Sequence, residues 1–275
     1  MFKKLIVEYY FITNVCSMII RDDVDPSIYT GVASNYPAVF PYPDTMPPGL
    51  GCAATLITES IALTAAHCFD EISTPFTVTI AGVRHMVSNV VINPCFDFDN
   101  DGPNGMDLAI LKLDTPSAVN PIMVYTDGDE VGKIFTLVGW GDLGIADGDE
   151  PSDGDGGNIF RVGQNIITKI SENTLQYSLD RNFNGGLELE AIGWYGDSGG
   201  PALIQKYGKT YIAGVNSGGD CCDYGSVDEF CRLSSAISQD FIRKAMDDNS
   251  HHLDDEYSCD TNSAGSRLRF LKIYG

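Results

Sequence analysis

A succession of short apolar runs, each broken by turn formers, limits the fold more than any other feature of this sequence. The runs AATLI (53–57), IALTAA (61–66), FTVTIAGV (76–83), MVSNVVI (86–92), DLAILKL (107–113), KIFTLVGW (133–140), IFRVGQNIITKI (159–170) and YIAGVNSG (211–218) are rich in Val, Ile, Thr, Phe and Tyr. Most are separated by Gly, Pro, Asn or Asp, which is the punctuation of a β protein. They neither alternate with helical segments nor repeat at a fixed period. The pattern predicts an all-β barrel or sandwich. One stretch differs: over 234–248, Ile237, Phe241, Ile242 and Ala245 recur at helical spacing, with Ser234 or Ser235 placed to cap the start. The glycine- and acid-rich segments 97–105 and 141–158 read as surface loops.

The formal charge of -21 excludes nucleic acid and anionic membranes as natural partners. Lys3 and Lys4 precede an apolar stretch from Leu5 to Ile20, followed by Arg21, Asp22 and Asp23. Such a layout predicts a signal peptide over 1–21 and a secreted, extracellular protein, with no membrane contact once the signal is removed. The 8 cysteines, without zinc-type pairs, then read as disulfide formers.

Hydrolysis of a peptide bond by serine needs a base for the hydroxyl, a carboxylate for the base, and N–H donors for the oxyanion. His67 lies in LTAAHC, after two strand-like runs, and Cys52 and Cys68 flank that hairpin. A disulfide between them would fix the loop that carries His67. Asp107 stands at the mouth of the apolar run LAILKL, and Ser198 sits among small residues in GDSGGP (196–201). Each has a plainer reading: His67 as a buried turn residue, Asp107 as a strand cap, the glycines as turn formers.

LTAAHC, DLAILKL, VGWG and GDSGGP, in that order, resemble the signature blocks of the chymotrypsin/trypsin-like serine endopeptidases. The resemblance runs from about residue 28 to 246. It implies two six-stranded antiparallel Greek-key barrels with a C-terminal helix, the first at about 28–128, the second at about 129–233 and the helix at about 234–248. The protease domain would span 22–250, leaving 251–275 as a tail. It implies His67 as general base, Asp107 as its orienting carboxylate, Ser198 as nucleophile, and the N–H groups of Gly196 and Ser198 as oxyanion hole. It further implies an acyl-enzyme, no cofactor, protein or peptide substrates, and protease inhibitors as partners. Ser217 matches the strand that pairs with the substrate backbone. The alternative is a catalytically silent homologue acting as a binding or regulatory module.

Several positions depart from the family's pattern. Trp194 stands where a cysteine is usual, so the usual bond to Cys221 or Cys222 cannot form; pairing of one of them with Cys231 is the substitute expected. Ile192 replaces the aspartate of tryptic specificity pockets, while Asp228 falls on the pocket wall and Gly218 and Gly219 leave its mouth open. These residues imply acceptance of bulky apolar side chains, extended to Lys or Arg if Asp228 points inward. A freed amino terminus usually pairs with the residue here numbered Asp197. Ile28 in IYTGV is the nearest counterpart, and cleavage after Arg21 would expose Asp22. Asp97, Asp99 and Asp101 before Gly102 resemble half of a calcium loop, with similar half-character at Asp180, but Leu108 stands where the glutamate belongs. No metal ligand set is therefore expected, with calcium the weaker alternative to a solvated acidic loop.

Overall fold

The structure, a computed structural model, describes residues 18–46, 51–70, 72–97, 106–147, 159–181, 185–220, 222–246 and 259. A first curled sheet joins β2 (Val39–Tyr42), β3 (Cys52–Leu56), β4 (Ile61–Thr64), β5 (Phe76–Ile80), β6 (Val83–Ile92) and β7 (Ala109–Leu113) in the order β2-β3-β4-β7-β6-β5. The N–H of Asp44 donates to Thr77 O at 2.9 Å, so the end of β2 closes onto β5. A second sheet runs β11-β9-β15-β16-β17-β13-β12, with β8 beside β16. Its strands are β8 (Met123–Val124), β9 (Ile134–Gly139), β11 (Arg161–Ile166), β12 (Lys169–Ile170), β13 (Thr174–Ser178), β15 (Pro201–Lys206), β16 (Lys209–Gly219) and β17 (Val227–Arg232). This sheet has eight strands rather than the six expected, because the two-residue β12 is added at one end and the two-residue β8 pairs in parallel with β16.

The two sheets are curled because each wraps an apolar core of its own. One core is built on Phe40, Leu56, Leu63, Val78, Ile110 and Leu111. The other is built on Phe135, Tyr177 and Phe230, whose rings lie 4.8 to 5.2 Å apart. The C-terminal helix α1 (Ala236–Met246) lies inside the span expected for it and buries Ile237, Phe241, Ile242 and Ala245. Of the two candidate caps, Ser235 is the one that acts: its Oγ accepts the N–H of Ser238 at 3.1 Å.

The amino-terminal boundary differs from the expectation. Met18–Arg21, assigned from the sequence to a departing signal, are buried. Here β1 (Ile19–Ile20) pairs with β10 (Gly144–Ile145) on one side and β14 (Ala191–Ile192) on the other. Three apolar side chains gain more in the second core than in water, and the Arg21 guanidinium is met by Asp23 and by Leu187 O. Ile28, the nearest counterpart of a freed terminus, is 57% exposed.

Cys52–Cys68 forms as expected. Cys95 and Cys259, left open by the sequence, bond to each other and tie residue 259 of the tail to the first barrel. Pairing with Cys231 is corrected: Cys231 keeps a buried thiol, which burial pushes up to about 12. Cys222 is disulfide-bonded. Cys16 and Cys221 lie outside the described residues, as do Asp99, Asp101 and Gly102 of the calcium half-motif. No helix among the described residues is long and apolar enough to cross a membrane.

Candidate active site

The site lies where the two barrels meet, and each half contributes through a different local device. β4 ends at Thr64 and the chain turns through Ala65 and Ala66 into a single 3-10 turn, His67–Phe69. That turn is pinned by the Cys52–Cys68 bond on one flank and by Phe69 against Tyr42 and Phe76 on the other. Asp107 stands two residues before β7, and Leu108 to Leu111 after it are fully buried, so its carboxylate is anchored at the end of a core strand. It is 5% exposed and faces His67.

Oδ1 of Asp107 accepts the backbone N–H of His67 at 2.9 Å, and Oδ2 lies 2.6 Å from His67 Nδ1. The other ring nitrogen, Nε2, lies 2.8 Å from Ser198 Oγ. Burial pushes the Asp107 carboxyl up, but hydrogen bonds from His67 and Ser217 outweigh it and hold the group below the usual carboxylate range. A fixed carboxylate therefore faces one side of the imidazole and a hydroxyl faces the other. In this geometry the ring can take the hydroxyl's proton and be stabilised as it does so.

Ser198 is carried from the second barrel on the turn before β15. Its carbonyl accepts the N–H of Ala53 at 2.7 Å, which stitches the turn to β3 of the first barrel. Gly196 has a φ of 86°, a conformation that side chains disfavour. Among the described residues neither its N–H nor that of Ser198 meets an acceptor, so two donors are left for a ligand atom.

Ser217 holds a position the sequence did not disclose. β16 steps from Asn216, opposite Phe230, to Gly218, opposite Glu229. Ser217 is thus the extra residue of a β-bulge, the device that re-aims a side chain. Its hydroxyl donates to Asp107 Oδ2 at 2.7 Å and ties β16 to the first barrel. No signal short of that bulge could have revealed it.

Of the specificity residues, Ile192 is buried in β14 within the second core. Gly218 and Gly219 are exposed. Asp228 is 2% exposed, and its Oδ2 accepts the Gly193 N–H at 3.0 Å and the Tyr177 hydroxyl. Gly193 also abuts the amide of Asn216, since a Cβ on it would collide with Nδ2. Burial pushes the Asp228 carboxyl up to about 6. Trp194 packs against the second core with its ring 4.9 Å from that of Tyr195, and so fills with apolar surface the place of the usual bridge. Cys52, His67 and Cys68 lie close enough to suggest a metal set, but both sulfurs are taken by their disulfide.

The family model described as Trypsin matches residues 32–238. A trypsin-like protease of Streptomyces glaucescens is 26% identical over 213 residues, covering 71% of this chain and 75% of the relative. Trypsin-1 of Astacus astacus is 28% identical over 197 residues, covering 62% and 78%. Among solved structures, neuropsin, a serine protease expressed in the limbic system of mouse brain, superposes with a TM-score of 0.62 at 18% identity, covering 80% of this chain and 98% of its own. That likeness bears on the fold, and the two-barrel architecture agrees with it. The family match over most of the chain makes the protein a member of the trypsin family, a serine endopeptidase by class.

Proposed function

We propose that this enzyme hydrolyses peptide bonds through Ser198, His67 and Asp107 by way of an acyl-enzyme. The unbroken row from Asp107 to His67 to Ser198, at 2.6 and 2.8 Å, carries the reading. Ser198 attacks the carbonyl while His67 takes its proton. Asp107 holds the ring in the tautomer that leaves Nε2 free to do so. The oxyanion develops against the N–H groups of Gly196 and Ser198, where loss of one donor costs about 3 kcal/mol. His67 then returns the proton to the leaving amine, and water repeats the sequence on the ester. An intact row disfavours the silent homologue, which would be under no constraint to keep it. Protein substrates follow from the class; protein inhibitors that mimic them are the second kind of partner.

For specificity, the apolar surroundings of Ile192 suit bulky apolar side chains, and Asp228 adds acceptance of Lys or Arg through the mouth at Gly218 and Gly219. Its partial neutrality near pH 6 sets a sign. Above about 6 the carboxylate is charged and favours a cation; as pH falls through 6 it takes a proton and the preference fades. The ratio of Arg to Phe cleavage should therefore decrease as pH drops through about 6. Asp228→Asn should lower kcat/KM for Lys and Arg peptides about 10- to 100-fold, the worth of a hydrogen bond to a charged group. Phe and Leu peptides should be spared. A fluorogenic panel in which neither class is cleaved overturns the proposal.

Secretion is proposed on the disulfides, which persist in oxidising compartments, and on the basic-then-apolar amino-terminal layout. Burial of Met18–Arg21 supports a signal cleavage that falls before Met18.

A further inference from the structure

Asp197, the residue before Ser198, is 3% exposed. Its Oδ1 accepts the Gly141 N–H at 3.3 Å, and among the described residues its Oδ2 has no hydrogen-bond partner. A buried carboxylate needs a counter-charge if it is to stay ionised. Arg161, also 3% exposed, opens β11 directly opposite Gly139. Gly139 has no side chain, and the Asp197 carboxylate occupies that space: a Cβ there would collide with Asp197 Oδ1. The cross-strand neighbour of the arginine is therefore, in effect, Asp197. Gly141 reports the same proximity from its two ends, since its N–H goes to Asp197 and its carbonyl accepts Arg161 Nη1 at 3.4 Å. Asp142, 6% exposed, shares the field of the same guanidinium. One cation thus acts through its field on two buried carboxylates, Asp142 and Asp197, beside the turn that carries the nucleophile.

We propose that Arg161 is a positioning residue: its guanidinium is the built-in counter-charge that holds Asp197, and through it the turn from Gly196 to Ser198, in the form that presents both N–H donors. The inference rests on reading Ser198 as the nucleophile. Arg161 touches no substrate; it acts through Asp197. Because an arginine cannot give up its proton in a protein, this charge is present at every pH and needs no chain cleavage to create it.

The charged and titratable groups around Asp197 are Arg161 on β11, Asp228 on β17 and Tyr177 on β13. Burial pushes Asp197 up to about 7; Arg161 opposes that rise and Asp228 adds to it. Removing Arg161 raises the group further, so more of it is neutral at pH 7 and more alkali is needed to ionise it. The acid limb of kcat should then move to higher pH.

The test is the pH profile of peptide hydrolysis by the full chain, split into kcat and KM. Arg161→Met should lower kcat about 100-fold, the scale of losing an oxyanion donor, with KM little changed and the acid limb displaced upward. Arg161→Lys, which keeps a cation, should recover most of the loss. Should the methionine variant fail to fold, Arg161→Met with Asp142→Asn leaves the net charge of the buried cluster unchanged and should show the same loss in kcat. A folded methionine or double variant with wild-type kcat and an unmoved acid limb overturns the proposal and assigns Asp197 another counter-charge. A lysine variant as impaired as the methionine one also overturns it, by showing shape rather than charge at work. A folded wild-type chain that neither cleaves peptides nor takes a fluorophosphonate removes the reading of Ser198 itself, and this inference with it.

Discussion

Ser198→Ala is expected to lower kcat by about six orders of magnitude while leaving KM within a few-fold of wild type. The size follows from what the hydroxyl does. It forms the bond to the carbonyl, and its Oγ stands 2.8 Å from His67 Nε2. Without it His67 has no proton to take, and Asp107 has no imidazolium to stabilise. The two N–H donors and the substrate contacts survive, so hydrolysis should remain about a thousandfold or more above water. KM should hardly change because Oγ contributes little to ground-state binding. The fold should survive as well, since Ser198 is tied to the first barrel by its carbonyl and not by its side chain. Equal losses in Ser198→Ala, His67→Ala and the double variant would identify one acting unit; additive losses would contradict it.

Asp107→Asn should cost about 10,000-fold in kcat. Asp107 does three things at once: it accepts the His67 backbone N–H, the His67 ring and the Ser217 hydroxyl. An asparagine conserves the shape. Its amide, turned toward Nδ1, stabilises the tautomer with the proton on Nε2, which leaves no lone pair for Ser198. The native carboxyl is held below its ordinary range by His67 and Ser217 against the push of burial, so its charge is present across the neutral range. The decline of wild-type activity in acid should therefore not trace to Asp107. Ser217→Ala, which removes one of the three donors, should produce a smaller loss in the same direction. Steady-state kinetics on one fluorogenic peptide measure all of these variants.

The sequence disclosed those elements whose chemistry is local. LTAAHC, the aspartate before LAILKL and GDSGGP each carry their own turn or strand end, so their meaning does not depend on what packs against them. The barrels were legible for a related reason, since short β-branched runs between turn formers have few alternatives. What stayed hidden depended on register and on distant partners. Ile19 and Ile20 read as a signal because an apolar run looks the same to a membrane and to a core. In β11 the buried face holds Arg161, Gly163 and Asn165, whereas Val162, Gln164 and Ile166 are only half-buried. Alternation read for hydrophobicity would turn that strand inside out. The polar face is stable because each member is met: Arg161 by Gly141 O, Asn165 Nδ2 by Ser178 O and Ala191 O at 2.9 Å. Asp228 was legible as a candidate specificity residue, but its hydrogen bond with Tyr177 joins it to a strand some fifty residues earlier. The Cys95–Cys259 bond spans 164 residues, and no spacing rule reaches that far.

Labelling with a fluorophosphonate tests the central claim most directly, because it requires a serine already activated by its neighbours and no knowledge of the substrate. The folded chain should take up one label, on the peptide that contains Ser198. Uptake should vanish in Ser198→Ala and slow by orders of magnitude in His67→Ala. A correctly folded wild-type chain that takes no label, or one labelled elsewhere than Ser198, would contradict the assignment of Ser198, His67 and Asp107 as the catalytic unit.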